Sequence, residues 1–108
     1  MRVEWTDYAD SQKEQIADYI RERFGLKYKR FFIREVDRTA QMLMRSPNIG
    51  TIDPLFDDRT ITYRSIIING LSKMVYYIKD DTIYIAAFWD TRREPNRQRE
   101  QTIARNES

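Results

Sequence analysis

The sequence predicts an α+β domain with the element order β-α-α-β-β-β, in which a helical hairpin packs on one side of a small antiparallel sheet. Two consecutive segments in the first half carry apolar residues at helical spacing, and Gly25 separates them. Three short apolar segments follow, joined by the turn signals Asn69-Gly70 and Asp80-Asp81. Because each helix has an apolar face to bury, placing both on one sheet face is the economical arrangement for 108 residues.

The helical half is preceded by a short strand. Val3-Glu4-Trp5 alternates apolar and polar residues, as a half-buried strand does. Thr6 or Asp7 can cap the first helix, and Gly25 ends it because glycine accepts the left-handed conformation. A second helix is predicted from about Leu26 to Arg45, and a short hinge between the helices makes them an antiparallel hairpin.

The second half is predicted to form a meander of three strands. Residues 51–60 are predicted as a loop, and the strands follow at Ile61–Asn69, Lys73–Lys79 and Thr82–Trp89. Two hairpins in succession make the three strands antiparallel.

These strands carry apolar residues on both faces of the predicted sheet. Tyr63 and Ile67 point to one side, and Ile66 and Ile68 point to the other. A sheet that is covered on one face only is polar on its open face. The excess therefore predicts that something else covers the second face, and another chain is the candidate.

Two residue types are missing, and their absence excludes several kinds of site. Without cysteine there is no disulfide, thiolate metal site or cysteine nucleophile. Without histidine, any catalysis has to use Arg, Lys, Tyr, Asp or Glu, so no cofactor and no metal site is predicted. No apolar run reaches the roughly 18 residues of a membrane span, and the start has no signal-peptide core. We expect a cytoplasmic protein without a membrane partner.

The charge is unevenly distributed. Residues 21–45 contain eight basic and three acidic side chains, whereas residues 53–58 contain three acids and no base. A basic stripe is typical of a protein with an anionic partner, although a solvated helix face has the same composition.

The composition changes after Pro95. Residues 1–95 are predicted to form a single domain. Residues 96–108 have almost no apolar side chains, which is typical of a mobile tail or of a short helix that orders on a partner.

The last predicted strand ends in an unusual way. Seven consecutive apolar residues, Ile83–Trp89, run into Asp90-Thr91 and then into Arg92 and Arg93. The two arginines either receive an acidic partner or target, or form a salt bridge with Asp90 or Glu94.

Four segments together resemble the RelE/ParE superfamily of bacterial type II toxins, over about residues 3–95. They read VEWTDYA, LMRSPNIG, TYRSIIING and KMVYYIKDDTIYIAAFWDTRREP, in that order. The resemblance implies the βααβββ fold predicted above. It also implies the toxin of a plasmid-stabilisation-type toxin–antitoxin module, held inactive by a cognate antitoxin that lies on the toxin surface.

The superfamily has two branches with different targets. One resembles ribosome-dependent mRNA endonucleases of the RelE type, and the other resembles ParE, which blocks DNA gyrase. RNA cleavage by attack of the 2′-OH passes through a negatively charged phosphorane. In a nuclease, Arg64 together with Arg92 or Arg93 would stabilise this charge. The tyrosine or histidine that nuclease members place after the second arginine is absent from residues 93–98. The sequence therefore favours gyrase inhibition, with mRNA cleavage as the alternative.

The candidate site residues follow from this resemblance and from the strand pattern. Arg64 and Arg92 are catalytic candidates only if the protein is a nuclease. Two of the candidates also have a purely structural interpretation. Arg64 can pair with Asp81 or Asp90 across the sheet, and Trp89 can be a core anchor. The residues predicted to bind the target or the antitoxin are Arg64, Tyr77, Trp89, Arg92, Arg93 and Arg97.

Overall fold

A computed structural model describes residues 1–107. Three helices and a five-stranded sheet make up this part of the chain, together with one 3-10 turn at Pro54–Phe56. The elements are β1 (Arg2–Trp5), α1 (Asp7–Phe24), α2 (Leu26–Arg45), β2 (Thr51–Ile52), β3 (Arg64–Ile68), β4 (Ser72–Lys79), β5 (Thr82–Asp90) and α3 (Pro95–Asn106).

The predicted fold class and the helical hairpin are confirmed. Thr6 is the N-cap of α1, and its side-chain oxygen accepts a hydrogen bond of 3.1 Å from the Ala9 N–H. Gly25 ends α1 with φ of 104°, and its N–H donates to the Arg21 carbonyl. Glycine adopts this dihedral without the clash that a Cβ would cause, so the chain reverses there and α2 begins at the next residue.

The sheet has the strand order β1-β5-β4-β3-β2. β3, β4 and β5 form the predicted antiparallel meander, and β2 adds two residues that lie within the predicted 51–60 loop. β1 pairs with β5 in parallel, with Val3 opposite Ile83, so the complete sheet is mixed. This parallel pairing is possible because the helical hairpin carries the chain between the two strands.

The helical hairpin covers one face of the sheet and forms the main core. Phe88 on β5 is central to it, with its ring centroid 6.0 Å from that of Trp5 and 5.9 Å from that of Phe32. The other buried residues of this core are Ala9, Ala17, Val36, Leu43, Ile68, Met74, Tyr76, Ile83 and Ile85.

The sequence predicts that something covers the second sheet face, with another chain as the candidate, and the chain itself supplies much of this cover. Phe56 of the 3-10 turn packs on Tyr63 with a centroid distance of 4.5 Å, and Ile103 of α3 packs against the same cluster. Val75 and Trp89 are buried beneath them. The sequence showed the apolar strand positions, but their covering segments are short and mostly polar. Ile67 alone of the isoleucines named above stays half exposed, at 51%.

Residues 95–106, which fall in the predicted tail, form a helix that packs on this second face. The Glu94 side chain caps α3 by accepting from the N–H groups of Asn96 and Arg97, and Pro95 occupies the first turn. Gln98 and Thr102, four residues apart, are buried. Of the predicted tail, Ser108 lies outside the described residues.

The end of α3 is fastened by Glu107. This carboxylate accepts 2.8 Å and 2.7 Å hydrogen bonds from Arg59 Nη2 and from the Tyr63 hydroxyl. Burial alone would raise the pKa of Glu107, but the hydrogen bonds from Arg59 and Tyr63 outweigh it and lower that pKa. Near the middle of the helix, Arg99 pairs with Asp58 and donates to the Leu55 carbonyl.

Replacing Glu107 by glutamine is expected to lower the free energy of unfolding at pH 7 by about 1 kcal/mol. Because the folded-state pKa is depressed, this stability is present above the ordinary glutamate pKa and is lost as pH falls through the lowered value. Urea unfolding of the unmodified protein and of the Glu107→Gln variant is measured at pH 7, 5 and 3. The difference between their free energies of unfolding should shrink as the pH falls. The Glu100→Gln variant is the control, since Glu100 is exposed on the same helix and has no cation within 4 Å among the described residues. An equal pH dependence in both variants would contradict the assignment.

Candidate functional site

The predicted site residues lie at three separate places. Arg64 and Tyr77 line a cavity of about 570 Å³ beside β3 and β4. Trp89, Arg93 and Arg97 line a groove between α1 and α3. Arg92 is exposed just beyond the end of β5. The structure therefore does not bring the six residues into one site.

Arg64 holds the loop that follows α2. Its Nη1 donates to the Gly50 carbonyl at 2.8 Å, with a longer contact of 3.4 Å to the Asn48 carbonyl. The predicted pairing with Asp81 or Asp90 is wrong, because the strand register places Arg64 opposite Tyr76 and beside this loop.

Tyr76 fixes the same loop from the neighbouring strand. Its hydroxyl donates to the Pro47 carbonyl at 2.7 Å and accepts from the Gly50 N–H at 2.9 Å. A Cβ at position 50 would lie 2.7 Å from that hydroxyl oxygen, so only glycine fits without displacing the tyrosine. Arg64 thus belongs to a structural clamp on residues 47–50.

Arg92 forms a salt bridge with Asp90, as one of the two sequence readings predicted. Arg92 Nη2 lies 2.6 Å from Asp90 Oδ2, and Arg92 Nε lies 3.0 Å from Oδ1. The side-chain hydrogen bond from Arg92 lowers the pKa of Asp90, so the pair is ionised at neutral pH.

The two arginines that a nuclease would use are far apart. The register places Arg64 level with Tyr76 and Ile85, and Asp90 level with Ser72 and Ile68. Four residues along a strand and two strand spacings across the sheet separate Arg64 from the Asp90 position by about 16 Å. Since each guanidinium also has its own protein partner, they are not arranged to hold one phosphate.

Besides Arg64, the titratable side chains that line the cavity are Tyr77 and Lys79. Its lining contains no carboxylate, and burial raises the pKa of Tyr77, which disfavours the phenolate form as a base. Asp58 is paired with Arg99, whose hydrogen bond is the main cause of a lowered pKa at Asp58. General acid–base catalysis works best with a group whose pKa lies near the working pH, and the pKa shifts of Tyr77 and Asp58 both lead away from it.

Trp89 and Tyr77 contribute to packing. Trp89 is only 3% exposed, with the Lys73 ammonium 5.3 Å from its ring centroid, which agrees with its reading as a core anchor. Tyr77 stacks on Tyr84 at 5.3 Å and meets Tyr63 edge-on at 5.7 Å.

The groove between α1 and α3 has a volume of about 630 Å³ and carries three arginines. Arg93, Arg97 and Arg105 line it, and none of the three has a carboxylate within 4 Å among residues 1–107. We call this cleft the arginine groove. Sequence reasoning named Arg93 and Arg97 but missed Arg105, although the eight-residue step from Arg97 to Arg105 puts both near one face of a helix.

The wall of the arginine groove is fixed around Tyr8 of α1. The Arg105 guanidinium lies 5.4 Å from the Tyr8 ring centroid. Burial raises the pKa of Tyr8, while the nearby charges of Arg105 and Arg93 act in the opposite direction. Gln12 joins the walls, since its Nε2 donates to the Tyr8 hydroxyl at 3.1 Å and to Gln98 Oε1 at 3.3 Å.

The basic stretch 21–45 lies on the hairpin and faces solvent. Lys29 pairs with Asp18 and Arg38 with Glu35, both at long distances of 3.5 and 4.0 Å. The other basic residues of this stretch are exposed, so the hairpin presents positive charge without strong local neutralisation.

Within residues 1–107 there is no group of three or more His, Cys, Asp or Glu side chains placed to hold a metal ion. The helices of this same part of the chain are all too short or too polar to cross a bilayer.

Comparisons with known proteins agree with the fold and identify the family. The chain is similar to a solved structure described as the chromosomal ParDE TA system from P. aeruginosa, with 16% identity and a TM-score of 0.69. That match covers 83% of this chain and 95% of the other. A search of curated proteins found no match. The model of the family described as ParE toxin of type II toxin-antitoxin system, parDE, matches residues 3–95. Most of the described fold lies within that match, and the chain therefore belongs to the ParE toxin family of type II toxin–antitoxin systems.

Proposed function

We propose that this protein is a cytoplasmic toxin that inhibits DNA gyrase and is neutralised by a cognate antitoxin. The observation that carries the proposal is the match of the ParE toxin family over residues 3–95. The α+β fold, with a helical hairpin followed by the β3–β5 meander, supports it, and so does an exposed surface with many unpaired arginines that an acidic partner can cover.

The chemistry near the two nuclease candidates supports inhibition over cleavage. Arg64 is bound to the Gly50 carbonyl and Arg92 to Asp90, and the cavity beside Arg64 has no carboxylate in its lining. Losing general acid–base assistance typically costs 10²–10⁴-fold in rate, so cleavage by this arrangement would be feeble. Binding a target needs no such group.

The purified protein is expected to slow DNA supercoiling by gyrase, or to trap gyrase on cleaved DNA, while leaving mRNA on translating ribosomes uncut. Gel assays of plasmid supercoiling measure the first effect, and primer extension on translating ribosomes measures the second. Addition of the antitoxin should restore supercoiling. Codon-positioned cuts in the mRNA, with normal gyrase activity, would establish the nuclease alternative.

The Arg64→Ala variant provides a control for that experiment. A nuclease that relied on Arg64 would lose cleavage with its fold intact. Under the proposed function, loss of the Gly50 contact instead loosens residues 47–50, and gyrase inhibition falls only as far as stability falls. Parallel thermal melts separate these outcomes.

A further inference from the structure

We infer that the arginine groove is a receptor for an acidic peptide segment, and that the antitoxin donates this segment. The identification of the donor rests on the proposed function. The chemical class of the ligand rests on the charge, the shape and the rigidity of the groove.

The charge in the groove is unbalanced. Arg93, Arg97 and Arg105 have no carboxylate within 4 Å among residues 1–107. The two carboxylates in the lining are already engaged, since Asp90 pairs with Arg92 and Glu94 caps α3. Guanidinium groups form short, charge-assisted hydrogen bonds with carboxylates, so the groove favours a ligand with several of them.

The shape of the groove fits a chain better than a compact anion. Its walls are helical stripes, with Tyr8 and Gln15 on α1 and Arg97, Gln101 and Arg105 on α3. Eight residues of α3 between the outer arginines span about 12 Å. An extended peptide of about four residues, or two turns of a helix, has that length.

The polar groups between the arginines suit a peptide backbone. Ser11, Gln15 and Gln101 are exposed residues of the lining, and each offers both a donor and an acceptor. An extended segment presents N–H and C=O groups that need such partners. The groove floor is held in place because Gln12 Oε1 accepts a 2.8 Å hydrogen bond from the Phe88 N–H of β5. A preformed groove spares the ligand part of the cost of ordering the site.

The test measures antitoxin binding by charge-reversed variants. Arg97→Glu and Arg105→Glu are each expected to weaken the affinity of the protein for the antitoxin by about tenfold or more. Arg30→Glu and Arg34→Glu on α2 cause the same change in net charge outside the groove, and we expect less than about threefold from them. Circular dichroism confirms folding, and Arg97→Gln and Arg105→Gln serve if a reversal prevents it. Equal weakening by both pairs would overturn the inference.

A second measurement identifies the ligand chemistry without the antitoxin. A nine-residue peptide of alternating Glu and Ala is titrated into ¹⁵N-labelled protein, beside its Gln-for-Glu isostere and inorganic phosphate. The inference requires that the guanidinium signals of Arg93, Arg97 and Arg105 move with the Glu peptide and not with the isostere. Movement with phosphate alone would make the groove a phosphate site and refute the inference.

Growth assays separate this inference from the proposed function. The Arg105→Glu protein should still arrest growth when expressed alone, but the antitoxin should no longer relieve the arrest. If the unmodified protein arrests no growth, the proposed function fails, and the peptide titration still decides the ligand class of the groove. If Arg105→Glu abolishes growth arrest while antitoxin binding is unchanged, the groove serves the cellular target and the inference is wrong.

Discussion

Replacing Asp53 by alanine is expected to lower the free energy of unfolding by about 3–5 kcal/mol, the usual cost of breaking a buried ion pair. Asp53 is 3% exposed, and its Oδ2 lies 2.6 Å from the Lys73 ammonium. Its Oδ1 accepts from the Leu55 N–H and so caps the 3-10 turn. The substitution removes both contacts and leaves the Lys73 charge beneath the turn without a counterion.

Chemical denaturation followed by fluorescence measures this loss. Asp57→Ala is the matched control, since Asp57 is exposed four residues away and has no salt bridge among the described residues; its effect should stay within about 0.5 kcal/mol. The double variant Asp53→Ala/Lys73→Met should recover part of the stability, because the uncompensated charge is then gone. Similar values for Asp53→Ala and Asp57→Ala would show that the pair does not stabilise the fold.

Replacing Phe88 by alanine should also cost about 3–5 kcal/mol, here through a cavity in the main core. Phe88 is 0% exposed and touches the ring of Trp5 on β1 and that of Phe32 on α2. The neighbouring elements cannot collapse onto the space, because β5 is paired on both sides. In a domain of about 100 residues, such a loss lowers Tm by well over 10 °C.

Phe31→Ala is the control for this prediction. Phe31 lies next to Phe32 on α2 but is 47% exposed, so we expect a loss below about 1 kcal/mol. Calorimetry of the three proteins gives the comparison directly. A large effect at Phe31 with a small one at Phe88 would mean that the helical hairpin is not packed on β5 as described.

Local signals made the order and the ends of most elements predictable. Thr6 and Gly25 mark the two ends of α1 by capping chemistry, and Asn69-Gly70 marks a turn in which both residues have positive φ. These features depend on residues close in sequence, so no tertiary information was needed.

The covering of the second sheet face was not predictable in the same way. α3 has a single large apolar residue, Ile103, and it is held largely by polar contacts to residues 55–63. Such contacts join positions some 40 residues apart and leave no periodic pattern. The cap at Glu94-Pro95 was the available signal for this helix.

The candidate site was predicted in part. Arg93 and Arg97 do line one groove, but their neighbours Tyr8 and Arg105 come from opposite ends of the chain. The partner of Arg64 could not be predicted for a different reason. It is a backbone carbonyl, and because every residue has one, the sequence does not mark which carbonyl Arg64 binds. The sequence thus shows which side chains are available for a site. It does not show as readily which of them already bind other parts of the same protein.

The parallel pairing of β1 with β5 has a consequence for synthesis on the ribosome. Arg2 pairs with Thr82, so β1 has no strand to pair with until residues 80 positions further along the chain have been synthesised. At translation rates of roughly 5–20 residues per second, this delay is about 4–16 s. Pairing over such a separation also slows folding after release, because the chain between the two strands loses conformational entropy before their contacts stabilise the sheet. A nascent chain of this protein therefore cannot complete its sheet until residues 82–85 of β5 have been synthesised.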